Sequence, residues 1–381
     1  MNWRQALTWV ALASAVLAGA ALLDRVGFPA PQMILAIVVG AALALSGRLP
    51  KPLPVQVNLG VQGMLGVVMG SYLQISLLTS IGWDLLPVAA VTVATIFLSV
   101  GVALVFARVT KVDIPTATLG MLAGGSAAVV AAADELDADP RRVAFMQYLR
   151  VALVALSAPA VAALLDDQEG IAYSTATLGG SVTDPNLPYW MIVGRGDQVA
   201  GISTAIMLCV LGIWVGRRIG LPNAALLGPM LLTAVLTATG ISHGYAPTHL
   251  FKDLLFVLIG FDVGTRFTRR VVREMARMIP AMTAAVLALS VLVAGLALGL
   301  AYFVDLEMSD LYLATTPGGI NAVLATADKM NANLPLITSV QTIRLLLMML
   351  MLPLLMRALR RFGSPTPVPA PAWQPGSDRA A

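Results

Sequence analysis

AGGSAAVVAAADELDADPRRVAFMQYLR, residues 123–150, has a counterpart later in the same chain: PGGINAVLATADKMNANLPLITSVQTIR, residues 317–344. The two align without a gap at a constant offset of 194 residues (318 − 124), and ten of the 27 positions from 124 to 150 are identical. Alanine-rich sequence matches itself easily, so the alanines weigh little. The weight falls on Gly124/Gly318, Gly125/Gly319, Asp134/Asp328, Gln147/Gln341 and Arg150/Arg344, which keep one register. A fixed offset between such positions reads as an internal duplication.

Outward from this stretch the chain is apolar. Of its 381 residues 58% are hydrophobic and only 12% charged, with a mean hydropathy of +0.84. Runs long enough to cross a bilayer recur from end to end, which makes the expected fold an all-α polytopic membrane protein. A soluble domain would carry roughly twice that share of charge. Each half shows six apolar segments: near 6–23, 31–47, 56–77, 85–108, 115–134 and 142–165, then 199–216, 222–241, 250–266, 279–303, 309–328 and 335–356. The expected division is membrane repeat one over 1–165, an extracytoplasmic linker over 166–198, membrane repeat two over 199–361, and a proline-rich, disordered cytoplasmic tail over 362–381. The first run follows Arg4 and has the look of a signal peptide. Its end, DRVGFP at 24–29, is echoed by RRIGLP at 217–222, so it reads as the first helix of a repeat.

The net charge of +4 does not point to nucleic acid, because the basic residues cluster at the ends of apolar segments, where they set topology. Let the N-terminus be cytoplasmic, the fifth segment of each half re-entrant and the other five crossing. Then 18 of the 24 basic residues lie inside, and Asp166, Asp167, Glu169, Asp305, Glu307 and Asp310 lie outside. Twelve crossings would instead carry Arg266, Arg269, Arg270, Arg273 and Arg277 across the membrane, against the positive-inside rule. Five crossings per half is an odd number, so the second half sits upside down. Inverted repeats with a glycine-broken segment in each half are a common build of secondary transporters.

Cys209 is the lone cysteine, and His243 and His249 are the only histidines, so no disulfide, metal centre or cofactor is expected and no catalytic residue is assigned. Arg150 and Arg344 each lie about nine residues into a helix, ~13 Å deep in a core about 30 Å thick. Facing lipid there costs at least ~2.5 kcal/mol, so both must face the interior. Gln147 and Gln341 stand three residues before them, on the same helix face. Two readings stay open. The arginines and glutamines form a polar substrate site, or each arginine pairs with an aspartate and clamps the re-entrant segment. Gly124-Gly125 and Gly318-Gly319 either present backbone amides to an anion or serve close helix packing. Asp134 and Asp328 are partners for an arginine or carriers of a coupling cation. Asp262 is an asymmetric coupling residue or a helix-end partner of Arg266. The methionine run at 348–356 has no His or Cys beside it and reads as packing and lipid-facing surface.

Together the opening R-x-G-[FL]-P of each half (Arg25 to Pro29, Arg218 to Pro222), PGG with its AGG twin, and Q-x-x-R after each resemble the bacterial membrane AbrB family over nearly the whole chain. That family carries the labels ammonia monooxygenase and AbrB family transcriptional regulator. The resemblance would imply one of those activities, yet copper chemistry needs a His-rich site and DNA binding needs a soluble basic domain. Neither is visible. The residues point to a carrier of a small anionic solute in the bacterial inner membrane, with both termini cytoplasmic and no direct nucleic-acid contact. A membrane-linked regulator is the competing class. The expected partners are the lipid bilayer and the solute, with self-association into a homo-oligomer left open.

Overall fold

The structure is a computed structural model that describes residues 3–26, 28, 30–48, 54–72, 85–122, 129, 133, 138–165, 191–193, 196–221, 223–239, 245–302, 307–330 and 332–362. It is helical throughout, with one isolated bridge, Val193 to Pro247, among the described residues. The helices follow the apolar segments: α1 Trp3–Asp24, α2 Pro31–Ser46, α3 Val55–Tyr72, α4 Leu85–Thr110, α5 Ile114–Met121 and α6 Pro140–Leu165. After the linker come α7 Gln198–Arg218, α8 Ala224–Ala238, α9 His249–Gly264, α10 Arg269–Met275 and α11 Ile279–Ala301. The chain then forms α12 Met308–Thr315, α13 Ile320–Lys329 and α14 Leu334–Phe362.

Five helical stretches (Gln5–Asp24, Ala90–Thr110, Pro140–Ala162, Gln198–Arg218 and Ile279–Ala301) are long and apolar enough to cross a bilayer. Three shorter apolar helical stretches (Pro31–Ser46, Ala224–Ala238 and Leu334–Met348) accompany them. Large apolar side chains stand exposed on the long helices, among them Val10, Phe97, Val105, Val210, Trp214 and Val291. An apolar surface of this kind needs lipid rather than water around it. This is the pattern of a membrane-spanning protein.

Local chemistry sets the helix ends. Gly47, with φ of 72°, closes α2 by returning its N–H to Ala44 O and Leu43 O. Asp113 opens α5 by accepting from the Thr116 N–H, and Asp197 opens α7 by accepting from Ala200. The apolar segment over 309–328, expected to be interrupted at its glycine pair, is two helices. Pro317 disfavours helical geometry at Thr316, whose ψ is 130°, so α12 stops and α13 restarts after Gly319. Its twin α5 likewise ends at Leu122, with ψ of 120°. Gly124, Gly125 and Asp134 lie outside the described residues. The basic loop at 266–277 holds the short helix α10, whose Met275 is buried.

Packing interleaves the two halves. α2 lies against α9, with Gly260 at Met33 and Ala36 and Gly264 at Ile37 and Ala41. Contacts that advance together along both helices make this pair parallel. α3 lies against α8 in the same sense, with Gly66 at Leu226 and Gly70 at Met230 and Thr233. A Cβ on Gly264 would stand 2.3 Å from Ile37 O, and one on Gly70 2.3 Å from Met230 O, so only glycine admits these crossings. α4 packs on α11, α6 on α5 and α14 on α12.

Candidate functional site

The last carbonyls of α5 and α12 have no partner within their own helices. Side chains from α6 and α14 supply one. Gln147 Nε2 donates to Leu119 O at 2.6 Å and Leu122 O at 2.9 Å. Arg150 Nη1 donates to Met121 O at 3.1 Å and Leu122 O at 2.6 Å, and its Nη2 to Gln147 Oε1 at 2.9 Å. In the second half Gln341 Nε2 donates to Leu313 O, Ala314 O and Thr316 O at 2.9–3.3 Å. Arg344 Nη1 donates to Thr315 O and Thr316 O, and its Nη2 to Gly318 O at 3.3 Å and Gln341 Oε1 at 2.5 Å. Each ring therefore joins one glutamine, one arginine and the carbonyl end of a short helix, α5 or α12. The acceptors at 119, 121 and 122 return at 313, 315 and 316, an offset of 194 in every case (313 − 119). Asp139 N to Thr116 Oγ1 and Asn333 N to Asp310 Oδ1, both 2.9 Å, keep the same offset.

Both arginines are buried, at 2% and 4% exposure, and neither has a carboxylate partner among the described residues. Their charge is offset by carbonyl dipoles and by the negative end of a short helix, a fraction of an elementary charge each. The Nε–H of each remains without an acceptor among the described residues. A buried N–H of this kind costs about 1–3 kcal/mol, so it is a standing demand for an acceptor.

Both side chains line one cavity of about 200 Å³. Gln341, Gly318, Gly319 and Ile320 share its wall, so the uncapped N-terminal end of α13 borders it. Gln62, Tyr148, Asn223, Asp262 and Arg266 line it as well. Asp262 and Arg266 neutralise one another at 3.0 Å, Asn58 Nδ2 donates to Asp262 Oδ1 at 3.2 Å, and the Arg266 guanidinium lies over the Tyr148 ring at 4.1 Å. Among the described residues that line the cavity, the charges without a partner of opposite sign are those of Arg150 and Arg344.

The glycine break packs tightly. A Cβ on Gly318 would meet Val154 Cγ1 at 2.6 Å, and one on Gly319 would meet Val151 Cγ1 at 3.2 Å. Gly318-Gly319 thus crosses α6 within a turn of Arg150, and close packing and cavity lining coexist there. Among the described residues no aspartate pairs with Arg150 or Arg344. Asp328 takes Lys252 Nζ at 2.6 Å, Asp262 takes Arg266, and the guanidiniums go to carbonyls instead. Lys252 and Tyr148 escaped the sequence reading because their partners stand 76 and 118 residues away (328 − 252, 266 − 148). Met348 packs in a small apolar cluster with Ile96, Leu119 and Leu122.

The family model described as "Transition state regulatory protein AbrB" matches residues 48–360. The chain belongs to the AbrB family. It is 30% identical over 340 residues to the Escherichia coli K12 protein named "Putative regulator AbrB", covering 88% of this chain and 93% of that one. It is 25% identical over 303 residues to "Uncharacterized protein YhjN" of Bacillus subtilis 168, covering 77% of this chain and 76% of that one. No solved structure matches it. The AbrB match extends over both glutamine–arginine rings.

Proposed function

We propose that this AbrB-family protein is a secondary transporter of a small anionic solute, built as two inverted repeats in the bacterial inner membrane. One observation carries the reading: Arg150 and Arg344 are buried with no carboxylate partner among the described residues, and they line the same cavity. Two cations whose charge is only partly offset by carbonyl dipoles attract an anion in a low-dielectric site, and Gln341 and the α13 end supply further donors. Gly124 and Gly125 are assigned the role in the first half that Gly318 and Gly319 take in the second.

Helix direction supports the inverted arrangement. If all twelve apolar segments crossed, α2 and α9 would run in opposite directions. With five crossings and one re-entrant segment per half they run the same way, as do α3 and α8. Both pairs are parallel. The basic ends at Arg217, Arg218, Arg269, Arg270 and Arg273 then share the cytoplasmic face.

A second reading has a specific basis. The E. coli relative is named as a regulator, and the guanidiniums are engaged by helix ends, a role that needs no solute. On that reading the chain reports to gene expression without a transport cycle. Purified protein reconstituted in liposomes and challenged with a panel of small anions separates the two: uptake that depends on the protein supports the carrier, and its absence across the panel supports the regulator.

A further inference from the structure

Lys252, in the first turn of α9, makes a close buried contact. Its Nζ lies 2.6 Å from Asp328 Oδ1, and the two side chains are only 16% and 14% exposed. The pair borders a void of about 10 Å³, room for about one water, with Tyr72 and apolar groups from Leu65 to Leu334 completing the wall. The groups facing Asp328 across that void are Lys252 of α9 and Tyr72 of α3, while α14 contributes Leu334. Asp253 also acts on the ammonium.

Two rigid helices connect this pair to the cavity. α13 carries Asp328 near its C-terminus, and its N-terminal end, at Gly319 and Ile320, lines the cavity about 13 Å away. α9 carries Lys252 in its first turn and Asp262 about 15 Å further along, again at the cavity. One ion pair therefore clips together the far ends of two helices whose near ends form the cavity wall. The position that matches Lys252 in the first half is Asn58 (252 − 194), which bears no charge and donates to Asp262 instead. The clip belongs to one side of the molecule. At the opposite end of α9 the Asp262–Arg266 pair is more open, at 29% and 39% exposure.

We propose that Lys252–Asp328 is a proton-linked latch that closes the cavity on the side of the 191–198 linker. The proposal rests on the transporter reading and supplies its coupling step. A proton from water on that side adds to the Asp328 carboxylate, the charge that holds Lys252 is lost, and α13 is free to part from α9. With Asp328 ionised the latch is shut, and access is from the 266–277 side. Because protonation opens it, acid favours access from the linker side.

The test reads access, not transport. In protein whose single cysteine is replaced (Cys209→Ser), Val263→Cys places one thiol in the cavity wall for impermeant thiol reagents applied to either face of proteoliposomes. Labelling from the linker side is expected to rise at least about tenfold in Asp328→Asn. It is expected to rise on acidification with Asp328 present but not with Asn. The exchanged pair, Lys252→Asp with Asp328→Lys, should restore the closed state. If Asp328→Asn does not accumulate, the uncharged pair Lys252→Met with Asp328→Asn carries the same expectation. Unchanged labelling in a folded variant that still takes up anions overturns the latch and leaves the transporter standing. A labelling shift in a protein that moves no anion overturns the transporter reading instead.

Discussion

Arg344 follows Arg150 by 194 residues, yet the two guanidiniums line one cavity and each closes the same ring with the glutamine three residues before it. In each ring the glutamine amide and the guanidinium share one carbonyl, Leu122 O or Thr316 O. The rings fix the two guanidiniums that bring positive charge to the cavity.

Gln147→Leu and Gln341→Leu remove a buried amide that donates to two or three helix-end carbonyls and accepts from an arginine. Each is expected to cost about 2–4 kcal/mol, seen as a lower melting temperature in detergent, and the two losses should agree within about 1 kcal/mol. A neutral effect at either glutamine would mean that its ring does not hold the helix end.

Gly318→Ala puts a methyl 2.6 Å from Val154 Cγ1 and should destabilise by about 1–3 kcal/mol. Val154→Ala opens that space, so the double variant should recover most of the loss. Failure to recover would show that glycine is needed there for its backbone and not for the close approach.

Cysteines at Arg270 and Gly196 report topology. Arg270 is well exposed in the basic loop, and a side chain at Gly196 meets nothing within 4 Å. Arg270→Cys should react with impermeant reagents from the cytoplasm and Gly196→Cys from the other side. Reaction of both from one face would contradict the inverted repeats.

Much of this was legible in the residues. Most apolar segments became helices among the described residues, because the bilayer sets a length that hydropathy shows directly. The break at Pro317 was marked by its own sequence, as was the pairing of Gln341 with Arg344 at helical spacing. The partners of Asp328 and Arg344 were not legible. Lys252 reaches Asp328 across 76 residues, and the acceptors of Arg344 are backbone carbonyls, which no side-chain pattern announces. Charge counting pairs cations with aspartates. It has no means to see that a helix end takes the place of a carboxylate.

The most direct test is uptake of small anions by proteoliposomes carrying the parent chain, Arg150→Lys or Arg344→Lys, each shown to be folded by its melting curve. Lysine keeps the charge but loses the planar fork that serves two carbonyls, a glutamine and an anion together. Protein-dependent uptake by the parent is expected, falling at least about a hundredfold in either variant, the equivalent of about 2.7 kcal/mol. Full uptake by both folded variants, or none by the parent with any anion of the panel, would contradict an anion site at Arg150 and Arg344.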